Sequence, residues 1–333
     1  MKNQENILEV EDLRVEFPYK HSRLHAVNGV SFSLKRGETL GFVGESGCGK
    51  STTAKAVMRL LSENAIIPEG KITYMDQDVL SLNKEALRKL RGREIGMIFQ
   101  DPMTALNPVL TIREQIYEQF IGTGMSRKEK EEEALRMLRY VGIPAPEQRI
   151  KEYVYQFSGG MRQRAMIAAC LAGKPRLLIA DEPTTALDVT IQDQIIKLLN
   201  RLKKELGMSV LLITHDLGVI SQMCDHVAVM YAGFIVEYTD TLTLFGRPRH
   251  PYTCGLMEAI PGSSGSGKKL AAIPGTTPDL QQLPEGCPFA ERCAYCEALC
   301  MKQRPEMREI EPGHFCRCHF PEKLNDYQGI ITL

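Results

Sequence analysis

The stretch Thr39-Leu40-Gly41-Phe42-Val43-Gly44-Glu45-Ser46-Gly47-Cys48-Gly49-Lys50-Ser51-Thr52-Thr53 decides the fold. It begins as a short apolar strand, Leu40 to Val43, and turns glycine-rich at Gly44, Gly47 and Gly49. Lys50, Ser51 and Thr52 then open a helix that continues through Ala54, Lys55, Ala56, Val57 and Met58. Gly44 to Ser51 matches the phosphate-loop (P-loop) pattern, with the strand before it and the helix after it that the pattern requires. The glycines let the backbone turn tightly and aim its N–H groups inward. With the positive end of the following helix they form a cradle for anionic phosphate oxygens. Lys50 has the reach and charge for β- and γ-phosphates, and the Ser51 hydroxyl suits magnesium. A glycine turn before an exposed lysine is the bland alternative; the agreement of strand, loop and helix argues against it.

The chain around this loop is long for one domain, at 333 residues, so two domains or one with an appendage are expected. Charged residues at 25% and hydrophobic ones at 43% describe an ordinary globular protein. The formal net charge of zero gives no global attraction to nucleic acid or anionic lipid. No run of about twenty apolar residues marks a membrane span, and the polar start Met-Lys-Asn-Gln-Glu-Asn has no apolar signal region, so a cytosolic location is expected. Six of the ten cysteines (Cys287, Cys293, Cys296, Cys300, Cys316 and Cys318) fall near the end of the chain. In a reducing compartment, such a cluster points to a metal or cofactor before disulfides.

Residues 7 to 17 alternate apolar and polar as a half-buried strand does, with Pro18 as the expected stop. Val27 to Leu34 reads as a second strand. Phe17 and Tyr19 are each a candidate to stack on a base or to anchor a strand end. A helix is expected over 50–62, a strand near Ile72-Thr73-Tyr74, and another from Ile95 that leaves the sheet at Gln100. Residues 111 to 141 read as a charged helical insertion, one helix opening at Ser126. Phe157-Ser158-Gly159-Gly160-Met161 precedes an alanine-rich helix and makes a second anion-binding nest. The apolar strand Leu177 to Ala180 delivers Asp181 and Glu182 at its end, the edge where ligands bind in parallel sheets. Asp181 suits magnesium and Glu182 a general base. Asp188 leads into a helix over 189–206 closed by Gly207. A strand at 209–214 ends at His215, read as a γ-phosphate sensor or a hydrogen-bonded structural residue. Val227–Tyr231 and Phe234–Glu237 read as two short strands around Ala232-Gly233.

In this order, the pieces resemble the ATPase subunit of ATP-binding-cassette (ABC) transporters over residues 7 to about 245. The resemblance rests on Gly44–Ser51, Gln100, Phe157–Met161, Leu177–Glu182, Asp188 and His215. It implies an α/β P-loop NTPase fold: a RecA-like core with an antiparallel β subdomain and a helical subdomain at about 101–160. ATP and Mg2+ are the implied ligands of Gly44–Thr52, Phe17, Gln100 and Asp181, with Glu182, His215 and Gln100 in catalytic roles. The family's cassettes pair head to tail. Ser158, Gly159, Gly160 and Asp188 would therefore act on the partner's ATP, and Gln100 with the helical block would carry motion to membrane subunits. Phe157 and Met161 stand where the commonest signature has leucine and glutamine.

The tail narrows the resemblance. His250-Pro251-Tyr252-Thr253, then Ile260-Pro261-Gly262, Ile273-Pro274-Gly275 and the cysteines look like the oligopeptide and dipeptide importer group, which also holds importers of nickel and other small solutes, the alternative substrates. A nucleotide domain at 1–248 and a small C-terminal cysteine-rich extension at 249–333 are thereby expected. The resemblance implies a [4Fe–4S] cluster on Cys287, Cys293, Cys300 and Cys318, with zinc as the alternative for soft thiolates. Implied partners are a second, non-identical ATPase subunit, two membrane permease subunits and, indirectly, an extracytoplasmic solute-binding protein. Nucleic acid is not among them. The location is the cytoplasmic face of the membrane, as a peripheral subunit. The competing class, a soluble cassette ATPase working on ribosomes or DNA, usually carries two cassettes or a long coiled coil, and neither is present here. Gly262 to Lys269 mimics a second phosphate loop. It lacks both a preceding strand and the magnesium-binding hydroxyl, and reads as a linker.

Overall fold

A computed structural model describes residues 5–185, 187–260, 273–327 and 329–330; the Gly262–Lys269 linker lies outside them. The chain forms two compact units, one of residues 1–34, 39–80 and 214–333 and the other of residues 35–38 and 81–213.

The first unit contains a four-stranded sheet in the order Ser22–Lys35, Asn6–Tyr19, Lys71–Tyr74, Gln77–Asp78. The alternation that signals the Asn6–Tyr19 strand changes phase part-way. Leu8 and Val10 are buried, and then Leu13 and Val15. Asp12, at φ 45°, makes the reset, since a residue in the left-handed region bends the strand as a bulge does. The strand also runs through Pro18 to Tyr19. The N–H groups of Arg14 and Glu16 donate to Glu69 and Ile66 on one side. The nitrogen of Pro18 faces that side one pair further on, past the last pairing among the described residues. A missing donor costs nothing there.

Thr39–Val43 is buried along its whole length and runs parallel to His226–Tyr231. That strand turns back on Phe234–Asp240, which pairs with His314–Cys316, which pairs in turn with Arg308–Glu311. The Phe234 strand is longer than its sequence suggests because Glu237 reads as the end of an apolar run. Glu237 is instead fully buried, in a hydrogen-bonded network. Its carboxylate accepts the N–H of Arg249 at 2.6 Å and of His250 at 3.0 Å, and lies 2.8 Å from His314 Nε2. Leaving a buried hydrogen-bonding group without its partner costs about 1–3 kcal/mol, and Glu237 serves three such groups. Glu237→Ala is expected to lower the calorimetric unfolding midpoint sharply; an unchanged midpoint would show that this network holds little.

The helix after the phosphate loop spans Lys50–Val57, shorter than expected. The Leu60 N–H returns to the Lys55 carbonyl and the Arg59 N–H to that of Ala56. This is a Schellman closure, with Arg59 at φ 50° in the place glycine usually fills. Sequence reading missed it because no glycine marks it.

The second unit carries three parallel strands, Ile95–Ile98, Leu177–Asp181 and Ser209–Ile213, buried throughout. Their continuous apolar character is what a sheet covered on both faces requires. Ser126 and Glu129 form the capping box that opens helix Arg127–Tyr140. That helix buries Ala134, Met137 and Leu138 and packs on helix Gly159–Ala172. Its charged residues face outward, Glu133 pairing with Arg136 at 2.6 Å. Helix Val189–Leu206 is capped by Asp188 and ends at Gly207, as its sequence signals indicate.

Candidate active site

The phosphate loop joins strand Thr39–Val43 to helix Lys50–Val57. Two of its glycines are required by their surroundings. A Cβ on Gly44, at φ 153°, would stand 2.1 Å from the Met230 carbonyl oxygen, and one on Gly49, at φ 102°, 2.5 Å from that of Ala26. Lys50 is buried, and its Nζ reaches back over the loop to donate to the Gly44 carbonyl at 2.7 Å and the Glu45 carbonyl at 2.9 Å. Cys48 is buried beside it, its thiol pushed up by burial against the opposing pull of Lys50. Ser46 and Gly47 form the exposed crest, and Ser51 and Thr52 are half-buried at the helix start. Phe17 is half-buried near the end of its strand in the same unit.

Contacts from the C-terminal segment hold Glu45 at two points. Its N–H donates to the Tyr252 hydroxyl at 2.8 Å. Its carboxylate receives two hydrogen bonds from Arg292, at 2.7 and 2.9 Å. Burial pushes the Tyr252 hydroxyl up, so it stays neutral. Neither partner was legible from sequence as part of the loop: Tyr252 stood out only as part of a short segment, and Arg292 not at all. His215 is exposed in this unit, just after Thr214, whose N–H donates to the Phe42 carbonyl at 3.0 Å.

In the second unit, Asp181 is the buried last residue of its strand, and Glu182 follows at φ 47°. A non-glycine residue in the left-handed region stores strain, which tends to collect at functional sites. One Glu182 carboxylate oxygen accepts from Gln100 Nε2 at 3.0 Å and from the Thr185 hydroxyl at 2.7 Å. Gln100 and Glu182, predicted separately, are thus brought together, and Thr185 is an orienting residue that sequence did not flag. Ser158 caps helix Gly159–Ala172, accepting from the Met161 N–H, and is exposed with Gly159. Gly160 is confined by Ile191, 3.1 Å from where a Cβ would stand. The Asp188 carboxylate accepts the Ile191 N–H at 3.0 Å.

Residues 27–185 match the family model "ABC transporter", and residues 236–300 match "Oligopeptide/dipeptide transporter, C-terminal region". The chain is 48% identical over 316 residues to the Salmonella typhimurium "Oligopeptide transport ATP-binding protein OppD", covering 95% of this chain and 94% of that one. The chain belongs to the ABC transporter family. It is also 47% identical over 325 residues to the Bacillus subtilis "Dipeptide transport ATP-binding protein DppD", covering 97% of each. Among solved structures, the dimeric ATP-binding cassette MJ0796, in a post-hydrolysis state bound to ADP and Pi, superposes with TM-score 0.64 at 28% identity. That match covers 70% of this chain and 98% of the other. The ABC ATPase fold expected from the motifs is thereby established, and with it ATP hydrolysis coupled to transport as the family's activity. Among the described residues, no helix is long and apolar enough to cross a membrane.

Cys287, Cys293, Cys300 and Cys318 line one small cavity of about 20 Å³. The Cys287 N–H donates to the Cys300 carbonyl at 2.7 Å, tying two of the cysteine segments together. Burial pushes the Cys287 thiol up to about 12 and that of Cys318 to about 11. The two surplus cysteines do not line the cavity, although the Cys296 side chain contacts that of Cys300. Cys316 sits in a sheet strand with its thiol on the Arg249 carbonyl, and the Cys296 thiol lies against the Glu297 carbonyl. Among the described residues, no three His, Cys, Asp or Glu side chains are grouped to hold a metal ion.

Proposed function

We propose that this chain is the ATP-hydrolysing subunit of an importer that takes up peptides. The buried Lys50 folded over a glycine loop is the observation that carries the ATPase part. The match of residues 236–300 to the peptide-transporter C-terminal region, together with relatives named for oligopeptide and dipeptide transport, supports the substrate. In this reading Lys50 and Ser51 take the phosphates and magnesium, Asp181 holds the magnesium through water, and Glu182 activates the attacking water. Gln100 and Thr185 orient the Glu182 carboxylate, and His215 senses the γ-phosphate. Ser158 and Gly159, exposed at a helix N-terminus, and the half-buried Gly160 beside them serve the ATP of a second, similar ATPase subunit. Residues 1–248 form the nucleotide domain and residues 249–333 its extension. The complex adds two permease subunits and, beyond the membrane, a solute-binding protein, with this chain peripheral on the cytoplasmic face. Co-purification of the complex and ATP-driven uptake of labelled di- and oligopeptides into reconstituted vesicles test this. Uptake of nickel without peptide would replace the substrate assignment.

The four cysteines that line the one cavity offer soft thiolate donors, the ligand chemistry of an iron–sulfur cluster or of zinc. The cavity is smaller than a cluster, so the thiols would turn outward to admit one. Cys287, Cys293, Cys300 and Cys318 would hold a [4Fe–4S] group, which supplies a redox-capable cross-link between their chain segments. Anaerobic purification is expected to yield iron and acid-labile sulfide, lost in Cys293→Ser. Zinc alone would overturn the cluster.

A further inference from the structure

A carboxylate is an odd residue for a loop that must hold an anion, yet Glu45 occupies the second position of the phosphate loop. Its partner is fixed from several sides. Arg292 Nε donates to the Pro274 carbonyl at 2.8 Å, and its guanidinium lies 5.7 Å from the centre of the Tyr231 ring and 5.9 Å from that of Phe289. The Arg292 side chain is only 5% exposed. It projects from the tight turn Ala290–Arg292, which Cys287 and Cys293 flank: the Ala290 N–H donates to Cys287 at 3.0 Å and the Cys293 N–H to Ala290 at 3.2 Å. The Glu45 carbonyl meanwhile accepts from Lys50, so any shift of Glu45 moves an acceptor of the phosphate-binding lysine.

We propose that Arg292 is a positioning residue for the nucleotide: it neutralises the Glu45 carboxylate and pins it aside, so that the loop meets phosphate without a like charge beside it. Arg292 suits this work because its planar fork binds a carboxylate through two parallel hydrogen bonds, which a lysine cannot do. The C-terminal segment thereby becomes part of the nucleotide site through two contacts, Arg292 on the carboxylate and Tyr252 on the N–H. The proposal rests on the ATP-binding reading of the loop.

Calorimetric titration of the full chain with Mg–ADP tests it, and wild type is measured first. Failure of wild type to bind would refute the reading of the loop itself. With wild type binding, Arg292→Ala is expected to weaken affinity on the order of tenfold, a usual size for coupling between groups that do not share the ligand. In the complex it should raise KM for ATP more than it lowers kcat. Adding Glu45→Gln to Arg292→Ala should recover most of the loss, because the unpaired charge is then gone. Arg292→Lys, which keeps charge but not the fork, should fall between wild type and Arg292→Ala, and it carries the test if the alanine variant does not fold. Wild-type affinity in Arg292→Ala would overturn the proposal. So would a loss that Glu45→Gln leaves unrestored, since that would mark mere loosening of the fold.

Discussion

Glu182→Gln is expected to retain ATP binding while cutting steady-state hydrolysis by about 100-fold or more. Glu182 leaves its strand in a left-handed conformation, and its carboxylate is held by the Gln100 amide and the Thr185 hydroxyl. The amide replacement keeps the size of the side chain and an oxygen for those donors, but it has no basic lone pair for a water proton. Loss of a positioned general base removes about 10²–10⁴ in rate. Phosphate release from the purified complex, alongside a nucleotide titration, separates the two quantities. Undiminished hydrolysis would end the general-base assignment; lost binding would move Glu182 into the phosphate or magnesium shell.

Lys50→Ala should show the opposite pattern, with binding itself damaged. The ammonium group is buried among carbonyls of its own loop, 2.7 Å from Gly44 and 2.9 Å from Glu45. In the nucleotide complex it trades such dipoles for anionic oxygens. A hydrogen bond between charged groups contributes about 1.5–3 kcal/mol, which corresponds to roughly 10- to 150-fold in affinity. The alanine variant also leaves two carbonyls without their donor, so the loop relaxes as well as losing charge. A titration curve matching wild type would refute the assignment. Read together, the two variants divide the chemistry: one keeps nucleotide and stalls, the other stalls for want of nucleotide.

What could be read in advance follows sequence distance. The phosphate loop, the Asp181–Glu182 strand end, the helix start at Ser126 and the helix from Asp188 to Gly207 are each written within a few neighbouring residues, and the structure places these elements as read. Features that depend on distant partners were not legible. Glu237 reads as the end of a strand because nothing nearby says that Arg249, His250 and His314 will satisfy it. Pro18 reads as a stop because sheet sidedness is not written in one strand. The Schellman closure at Arg59 lacks its usual glycine. Arg292 is invisible as a loop partner because 247 positions separate it from Glu45. The four cavity cysteines were chosen by resemblance, and only their common cavity separates them from Cys296 and Cys316.

The split of the first unit into separate chain segments has a consequence for how the protein is made. The N–H of Thr39, which opens the loop strand, donates to the carboxylate of Asp225, 186 residues later. At a ribosome adding about 5–20 residues per second, that partner arrives roughly 10–40 s after Thr39 itself. The contact to Arg292 comes later still. The nascent loop strand, apolar and unpaired, must be sheltered throughout that interval. The phosphate loop is the first feature to be recognised in the sequence and one of the last to be completed in synthesis.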